Sequence, residues 1–231
     1  MRWMKSLRRL SDLYLRLMSW KKLWWFIWKD DSFASLLVNI LLAVVLIKFI
    51  MYPVSGLVLG TSFPVVAVVS CSMQHDATNC WADCYLKGQG SLDYCVNKEK
   101  NLCGKNRDVG YWNTCGDWYV ERGISEQDFK KFQQSNGFNI GDIFVLKKAD
   151  EVKIGDIIIY NDMIRNAPII HRVVDIKEGY YQTKGDHNSA TFPFEEKISK
   201  EQIYGKVLLK IPYLGWVKVM FNIMLKGVGI I

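Results

Sequence analysis

Residues 64–73 read Pro-Val-Val-Ala-Val-Val-Ser-Cys-Ser-Met. The β-branched run predicts an extended strand. Alternate side chains of a strand share a face, so Ser70 and Ser72 project together and Cys71 points away. Two hydroxyls on one face can supply a nucleophile and a donor to an oxyanion, the pair that acyl transfer needs. Two serines in a strand are common, so the pattern gains meaning only from its company. Similar runs recur downstream, separated by Gly and Asp turns: Ile143–Leu146 (IFVL), Ile157–Tyr160 (IIIY), Ile169–Val174 (IIHRVV) and Ile203–Leu209 (IYGKVLL). That spacing predicts a mainly β, antiparallel domain. Two runs are introduced by the same turn, Gly141-Asp142-Ile143 and Gly155-Asp156-Ile157, too little to make a repeat architecture.

The chain of 231 residues carries a formal charge of +7, and most of it sits at the front. Residues 1–32 hold eight basic and three acidic residues, a net +5, together with Trp3, Trp20, Trp24, Trp25 and Trp28. Basic residues mixed with aromatics also occur in nucleic-acid binders, but the next segment favours a membrane. Residues 33–52 (FASLLVNILLAVVLIKFIMY) are broken only by Asn39, Lys48 and small Ser or Ala. At about 1.5 Å per residue, twenty apolar residues cross the roughly 30 Å hydrocarbon core. Lys48 can snorkel at the distal end, and Pro53 is expected to stop the helix. The run is too long for the core of a cleavable signal peptide. The basic arm then keeps the N-terminus cytoplasmic, and the tryptophans lie at the interfacial belt. An extracytoplasmic β domain is expected over 53–211. The hydrophobic segment 212–231, interrupted by Lys218 and Lys226, is expected to associate with the membrane by lying in the interface rather than spanning it.

From about residue 76 to 134 the apolar runs vanish, and Cys80, Cys84, Cys95, Cys103 and Cys115 appear among Trp, Tyr, Asn and Gly. A helix, Ser125 to Phe132, closes this insertion, with Ser125 as N-cap. Outside the cytoplasm these cysteines are expected to form two disulfides and leave one thiol, because a small loop-rich segment buries too little core to hold itself. A zinc site is the weaker alternative, since Cys80-x-x-x-Cys84 has no second close pair.

Three histidines, His75, His171 and His187, are the candidates for a base near neutral pH. His171 alone, inside an apolar run, reads as a hydrogen-bonded core histidine. Asp186, in Thr183-Lys184-Gly185-Asp186-His187-Asn188, reads as a turn former or as the acid that orients an imidazole.

In their order, TSFPVVAVVSCSM (61–73), GDIIIYN (155–161), IIHRVV (169–174), TKGDHN (183–188) and IYGKVLLKIPYLGW (203–216) resemble type I signal peptidases. The likeness is to the archaeal and endoplasmic-reticulum branch, in which histidine replaces the lysine base of bacterial enzymes. It covers about residues 20–220 except the insertion. The resemblance implies a coiled antiparallel β-sheet on a membrane anchor and removal of signal peptides from secretory preproteins at a cell membrane. The expected neighbours are the bilayer and a secretion channel, with no cofactor, metal or nucleic acid. It implies Ser72 as nucleophile, His171 as general base, Asp186 as orienting acid, and Ser70 with the Ser72 N–H as oxyanion hole. The sequence departs from this branch at Phe192, where its relatives carry a second aspartate. Either Asp186 alone orients His171, the preferred reading, or Glu195 or Glu196 reaches in. His75, three residues beyond Ser72, is a rival base outside the matching motif.

Two other classes compete. A catalytically silent, membrane-anchored binding protein would use the Cys-rich insertion to engage a partner; Ser72, His171 and Asp186 argue against it. A self-cleaving repressor would need a DNA-binding domain and a lysine base.

Overall fold

The computed structural model describes residues 20–76, 80–97, 101–106, 110–162 and 167–230. Trp3 and the basic residues among the first nineteen lie outside the described residues. The chain forms two compact units, Met1–Ser55 and Gly56–Ile231.

A helix over residues 20–28 precedes the apolar helix Phe33–Leu59, whose last residues belong to the second unit. Ser32 caps the latter by accepting from the Ser35 N–H. The polar residues inside the apolar run close the end of the shorter helix: Ser35 Oγ donates to the Phe26 carbonyl at 2.6 Å and Asn39 Nδ2 to that of Ile27 at 2.9 Å. Such carbonyls have no partner within their own helix. Trp20, Trp24, Trp25 and Trp28 are exposed. The apolar helix is long and apolar enough to cross a membrane. It does not stop at Pro53 as the sequence suggested. Residues Ile47–Met51 are wound as a π-helical turn just before the proline. That widening accommodates a residue that lacks an N–H and crowds the carbonyl four positions back. The helix ends instead at Gly60, whose φ of +64° suits glycine.

The second unit is built on a six-stranded antiparallel sheet. Its strands are β1 (Val65–Ala67), β4 (Ile143–Lys147), β5 (Ile157–Asp162), β6 (Ala167–Lys177), β7 (Tyr180–Lys184) and β8 (Ile203–Ile211), in the order β1-β4-β8-β5-β6-β7. A mainly β fold was legible in the β-branched runs. The continuous run Ile157–Tyr160 marks a strand covered on both faces: Ile157 and Ile159 join Met73, Phe144 and Leu146 in one core, and Ile158 and Tyr160 join Val173 and Ile198 in another. Each fully buried side chain of this size is worth about 1.5–3 kcal/mol. Register pairs Ile158 with His171 and Ile157 with Arg172, so alternation sends His171 and Arg172 to opposite faces of β6.

The insertion is more regular than its composition suggested. It contains the helices Cys80–Leu86, Leu92–Asn97, Tyr111–Val120 and Glu126–Lys131, and a hairpin of β2 (Asn101–Leu102) and β3 (Lys105–Asn106). Ser125 caps the last helix, accepting from the Asp128 N–H. Tyr119, Ile124 and Phe129 pack with Val174 of β6. The C-terminal helix Trp216–Gly227 buries Val219 against Ala82 and Ile140; at 12 residues it is about 18 Å long.

The disulfide expectation is corrected. Three bridges form, Cys71–Cys80, Cys84–Cys95 and Cys103–Cys115, with no free cysteine. Counting cysteines within the insertion gave an odd number because the sixth, Cys71, belongs to the serine motif, which lies beyond the end of β1 (Val65–Ala67) rather than in the expected strand, and bonds across to the insertion. Alkylation of the unreduced, denatured protein should therefore leave its intact mass unchanged, and alkylation after reduction should add six adducts; one adduct before reduction would contradict this pairing.

Candidate active site

Beyond β1 the chain bonds its neighbour for the last time at Val68, whose N–H donates to Asp142 and whose carbonyl accepts from Gly141. It then turns, with the Gln74 N–H donating to the Cys71 carbonyl at 3.0 Å. This presents Ser70 and Ser72, both half-buried. Ser72 N–H donates to Ser70 Oγ at 3.2 Å. The other wall is the segment after β7. His187 N–H donates to the Ser72 carbonyl at 2.8 Å, and Asp186 N–H to the Met73 thioether at 3.2 Å.

Gly185 lies between the serine segment and His171. A Cβ there would lie 2.8 Å from the Ser72 carbonyl oxygen, 2.9 Å from His171 Nε2 and 2.5 Å from Asn188 Nδ2. No side chain fits, and the absence of one lets the serine segment and the imidazole approach each other across the glycine. His171 is buried, with Nδ1 in direct contact with Oε1 of the fully buried Glu195. Neither atom has another partner among the described residues. Glu195 is aimed by its second oxygen, which accepts the Phe192 N–H at 2.7 Å. The position of the missing aspartate thus supplies a backbone donor, and the carboxylate arrives three residues later on a longer side chain. The Phe192 ring is exposed and stacks on Phe194, 5.4 Å between centroids.

Asp186 stands elsewhere. Its carboxylate accepts from Arg172 Nε at 3.0 Å and Nη2 at 2.7 Å, from Tyr119 Oη at 3.1 Å, and contacts His75 Nε2 at 2.9 Å. No hydrogen bond joins it to His171 among the described residues. Burial alone would raise its pKa, but the Arg172 charge and the hydrogen bonds from His75 and Arg172 hold it well below the usual carboxylate range. Arg172 also donates to the carbonyls of Gln133 (2.7 Å), Gln134 (3.0 Å) and Gly155 (3.0 Å). His75, the rival base, lies stacked on Tyr111 at 3.4 Å between centroids. Burial next to Asp186 pushes the phenols of Tyr111 and Tyr119 well above the usual range. Burial lowers His187, whose Nδ1 contacts the Gln74 carbonyl at 3.1 Å.

Lys184 is fully buried. Its ammonium donates to the carbonyls of Gly185 (3.0 Å) and Asp186 (3.3 Å) and lies 5.1 Å from the centroids of Trp118 and Tyr119. Burial pushes it down to about 8 against the pull of Asp186 and Glu195. Donor atoms of Cys71, Cys80 and His187 lie within 4.8 Å of one another, but both sulfurs are tied in a disulfide, which offers no thiolate to a metal. Cys84, the other half of the zinc spacing, pairs with Cys95.

Sequence reasoning missed Arg172, Lys184 and Cys71. The signal for Arg172 was its place beside His171: a charge in an apolar strand needs a buried partner, and Asp186 was the nearest motif carboxylate.

The candidate site thus pairs His171 with Glu195 and sets the Ser72 backbone and the imidazole on either side of the space left by Gly185. No protein-family model matches the chain. Three curated relatives are each named as a signal peptidase complex catalytic subunit, SEC11. That of Scheffersomyces stipitis is 34% identical over 96 residues, 37% of this chain and 58% of the relative. The protein of Sclerotinia sclerotiorum is 31% identical over 97 residues, and that of Colletotrichum graminicola 32% over 99, each covering 37% of this chain and 56% of the relative. The chain thus spans somewhat more than half the length of the curated relatives it matches. Over that stretch it is homologous to signal peptidase catalytic subunits, in agreement with the resemblance drawn from its motifs.

Breaking the buried ion pair by Arg172→Ala should cost about 3–5 kcal/mol, because it strands Asp186 without its counter-charge. A folded-state pKa held low gives stability that is full above the ordinary carboxylate range, near pH 4, and is lost as pH falls further. Wild-type melting temperature should therefore drop steeply below about pH 4, and chemical denaturation of Arg172→Ala should show a shallower acid limb. Lys184 acts in the opposite range. The unfolded lysine keeps its proton to about pH 10.4, while the folded one releases it at about 8, so stability should rise between pH 8 and 9.5. Lys184→Met should flatten that rise.

Proposed function

We propose that this protein is a membrane-bound serine endopeptidase that removes signal peptides from secretory preproteins. The observation that carries the reading is the glycine gap at Gly185, where the Ser72 carbonyl oxygen and His171 Nε2 each border the space a side chain would fill, while the buried Glu195 contacts the far side of the imidazole. Ser72 Oγ attacks the scissile carbonyl, His171 takes its proton and passes it to the leaving amine, and an acyl-enzyme remains. Water, activated by the same imidazole, then releases it. Glu195 fixes the tautomer and stabilises the imidazolium. Asp186 is left to a structural task, for which its contacts with Arg172, Tyr119 and His75 are suited. The oxyanion is received by the Ser72 N–H and the Ser70 hydroxyl. In the resting site these two bond each other, so substrate must turn both toward the carbonyl.

The substrate lies extended along β1, an edge strand with a free side. A groove of about 570 Å³ runs beside it, lined by Val65, Ala67 and Ile143 of the sheet and by Leu214, Val217 and Phe221 of the C-terminal segment. It suits an apolar segment next to the cut. The helix Phe33–Leu59 crosses the bilayer with the N-terminus cytoplasmic, which keeps the site on the surface where precursors emerge. The C-terminal helix Trp216–Gly227 lies in the interface, where exposed Met220 and Met224, outside the groove, meet lipid.

Cleavage of a preprotein by the purified full-length chain tests this. Ser72→Ala and His171→Ala should abolish it, and wild-type rates in either would refute the assignment. Activity should fall on acidification, because only the neutral imidazole accepts a proton. Glu195→Gln should lower kcat by roughly 10²- to 10⁴-fold with little change in KM. Adding Phe192→Asp to that variant should restore part of the loss; a Glu195→Gln enzyme with unchanged kcat would return the orienting role to Asp186. A protein with no cleavage and no serine reactivity would instead be a silent binding protein.

A further inference from the structure

Resting on the peptidase reading, we propose that the Cys71–Cys80 disulfide is a positioning element of the active site: it clamps the segment that carries Ser70 and Ser72 to the insertion, and the oxidised form is the competent enzyme. The argument starts from what holds that segment. On the C-terminal side of Ser72 the chain is well tied, through the Ser72 carbonyl to His187, the Met73 carbonyl to Phe138 and the Met73 thioether to Asp186. On the N-terminal side the sheet ladder ends at Val68. Among the described residues the main-chain groups of Val69 and Ser70 have no hydrogen-bond partner. The Cys71 N–H makes one long contact, 3.4 Å to Asp83 of the helix Cys80–Leu86. Both serines flank a cysteine whose sulfur is bonded to the first residue of that same helix. The bridge therefore supplies a constraint that backbone hydrogen bonding does not. It does so at the residue between the two groups that must converge on one oxyanion.

The other bridges differ. Cys84–Cys95 and Cys103–Cys115 join parts of the insertion to one another; Cys84–Cys95 is buried at both ends and Cys103–Cys115 at Cys115, with Cys103 half-buried, whereas Cys71 and Cys80 are both half-buried. A dithiol should open Cys71–Cys80 first. Two electrons and two protons pass to the Cys71 and Cys80 sulfurs, and the dithiol leaves as its own disulfide. Ser72 and its N–H then lose their fixed relation to His171. Misplacement of about 1 Å in such a site costs on the order of 100-fold in rate.

Graded reduction of the full-length protein, followed by alkylation, peptide mass analysis and preprotein cleavage, tests the idea. We expect kcat to fall roughly 10- to 100-fold in step with labelling of Cys71 and Cys80, with KM within about twofold, and to return on reoxidation. Cys71→Ala with Cys80→Ala should show the same kcat loss, measured below its melting temperature, while Cys84→Ala with Cys95→Ala should keep kcat. Wild-type kcat after opening of Cys71–Cys80, or equal losses in both double variants, would overturn the proposal. If oxidised wild-type protein cuts no preprotein, labelling of Ser72 by a fluorophosphonate, read by intact mass, separates the two ideas. Labelling that is lost when Cys71–Cys80 opens would retain the clamp and discard the substrate reading, and labelling that does not change would discard the clamp.

Discussion

The buried pair of Arg172 and Asp186 is the interaction on which the second unit depends. Both side chains are fully buried, and desolvating two charges costs several kcal/mol each before their attraction returns anything. The pair is tolerable because every face of it is used. Arg172 satisfies three main-chain carbonyls at the end of the insertion and at the turn into β5, and Asp186 gathers Tyr119 and His75 besides the guanidinium. One ion pair thereby joins β6, the turn after β7, the turn into β5, the serine segment and the insertion. A hydrophobic replacement could match its stability, but not its ability to fix five chain segments in one register.

This arrangement separates two tasks that the motif order alone assigns to one residue. The imidazole and the guanidinium are neighbours in sequence, yet strand alternation sends them to opposite faces of β6, and each takes its own carboxylate. The Glu195 carboxylate comes to His171 from a short 3₁₀ turn, Pro193–Glu195, where its backbone tie to Phe192 removes the freedom that a longer side chain would otherwise have. The insertion is then no appendage. Its tyrosines and its first cysteine reach the same loops as the catalytic candidates, so its stapled core supports the segments that carry the site.

Much of this was legible before any coordinates. The β-branched runs marked the strands, because such residues pack well on a pleated surface; that IIIY is buried on both faces came from the structure. The apolar run from Phe33 announced a helix of membrane length. The candidate serine and histidine could be named from the order of the motifs around them, since neither stood out alone. The helices of the insertion were not legible: their apolar faces are aromatic and short, and disulfides replace the periodic core that a sequence pattern detects.

The sequence by itself determined the strand and span content, the order of the motifs and the supply of titratable groups, because these follow from local periodicity and residue chemistry. Only the tertiary structure decided which carboxylate meets which cation, which cysteine completes the third bridge, and that Pro53 lies within the helix. The pairings depend on distances between segments as much as 111 residues apart, and on whether a buried charge finds a partner. Neither quantity is encoded in any local stretch of the chain.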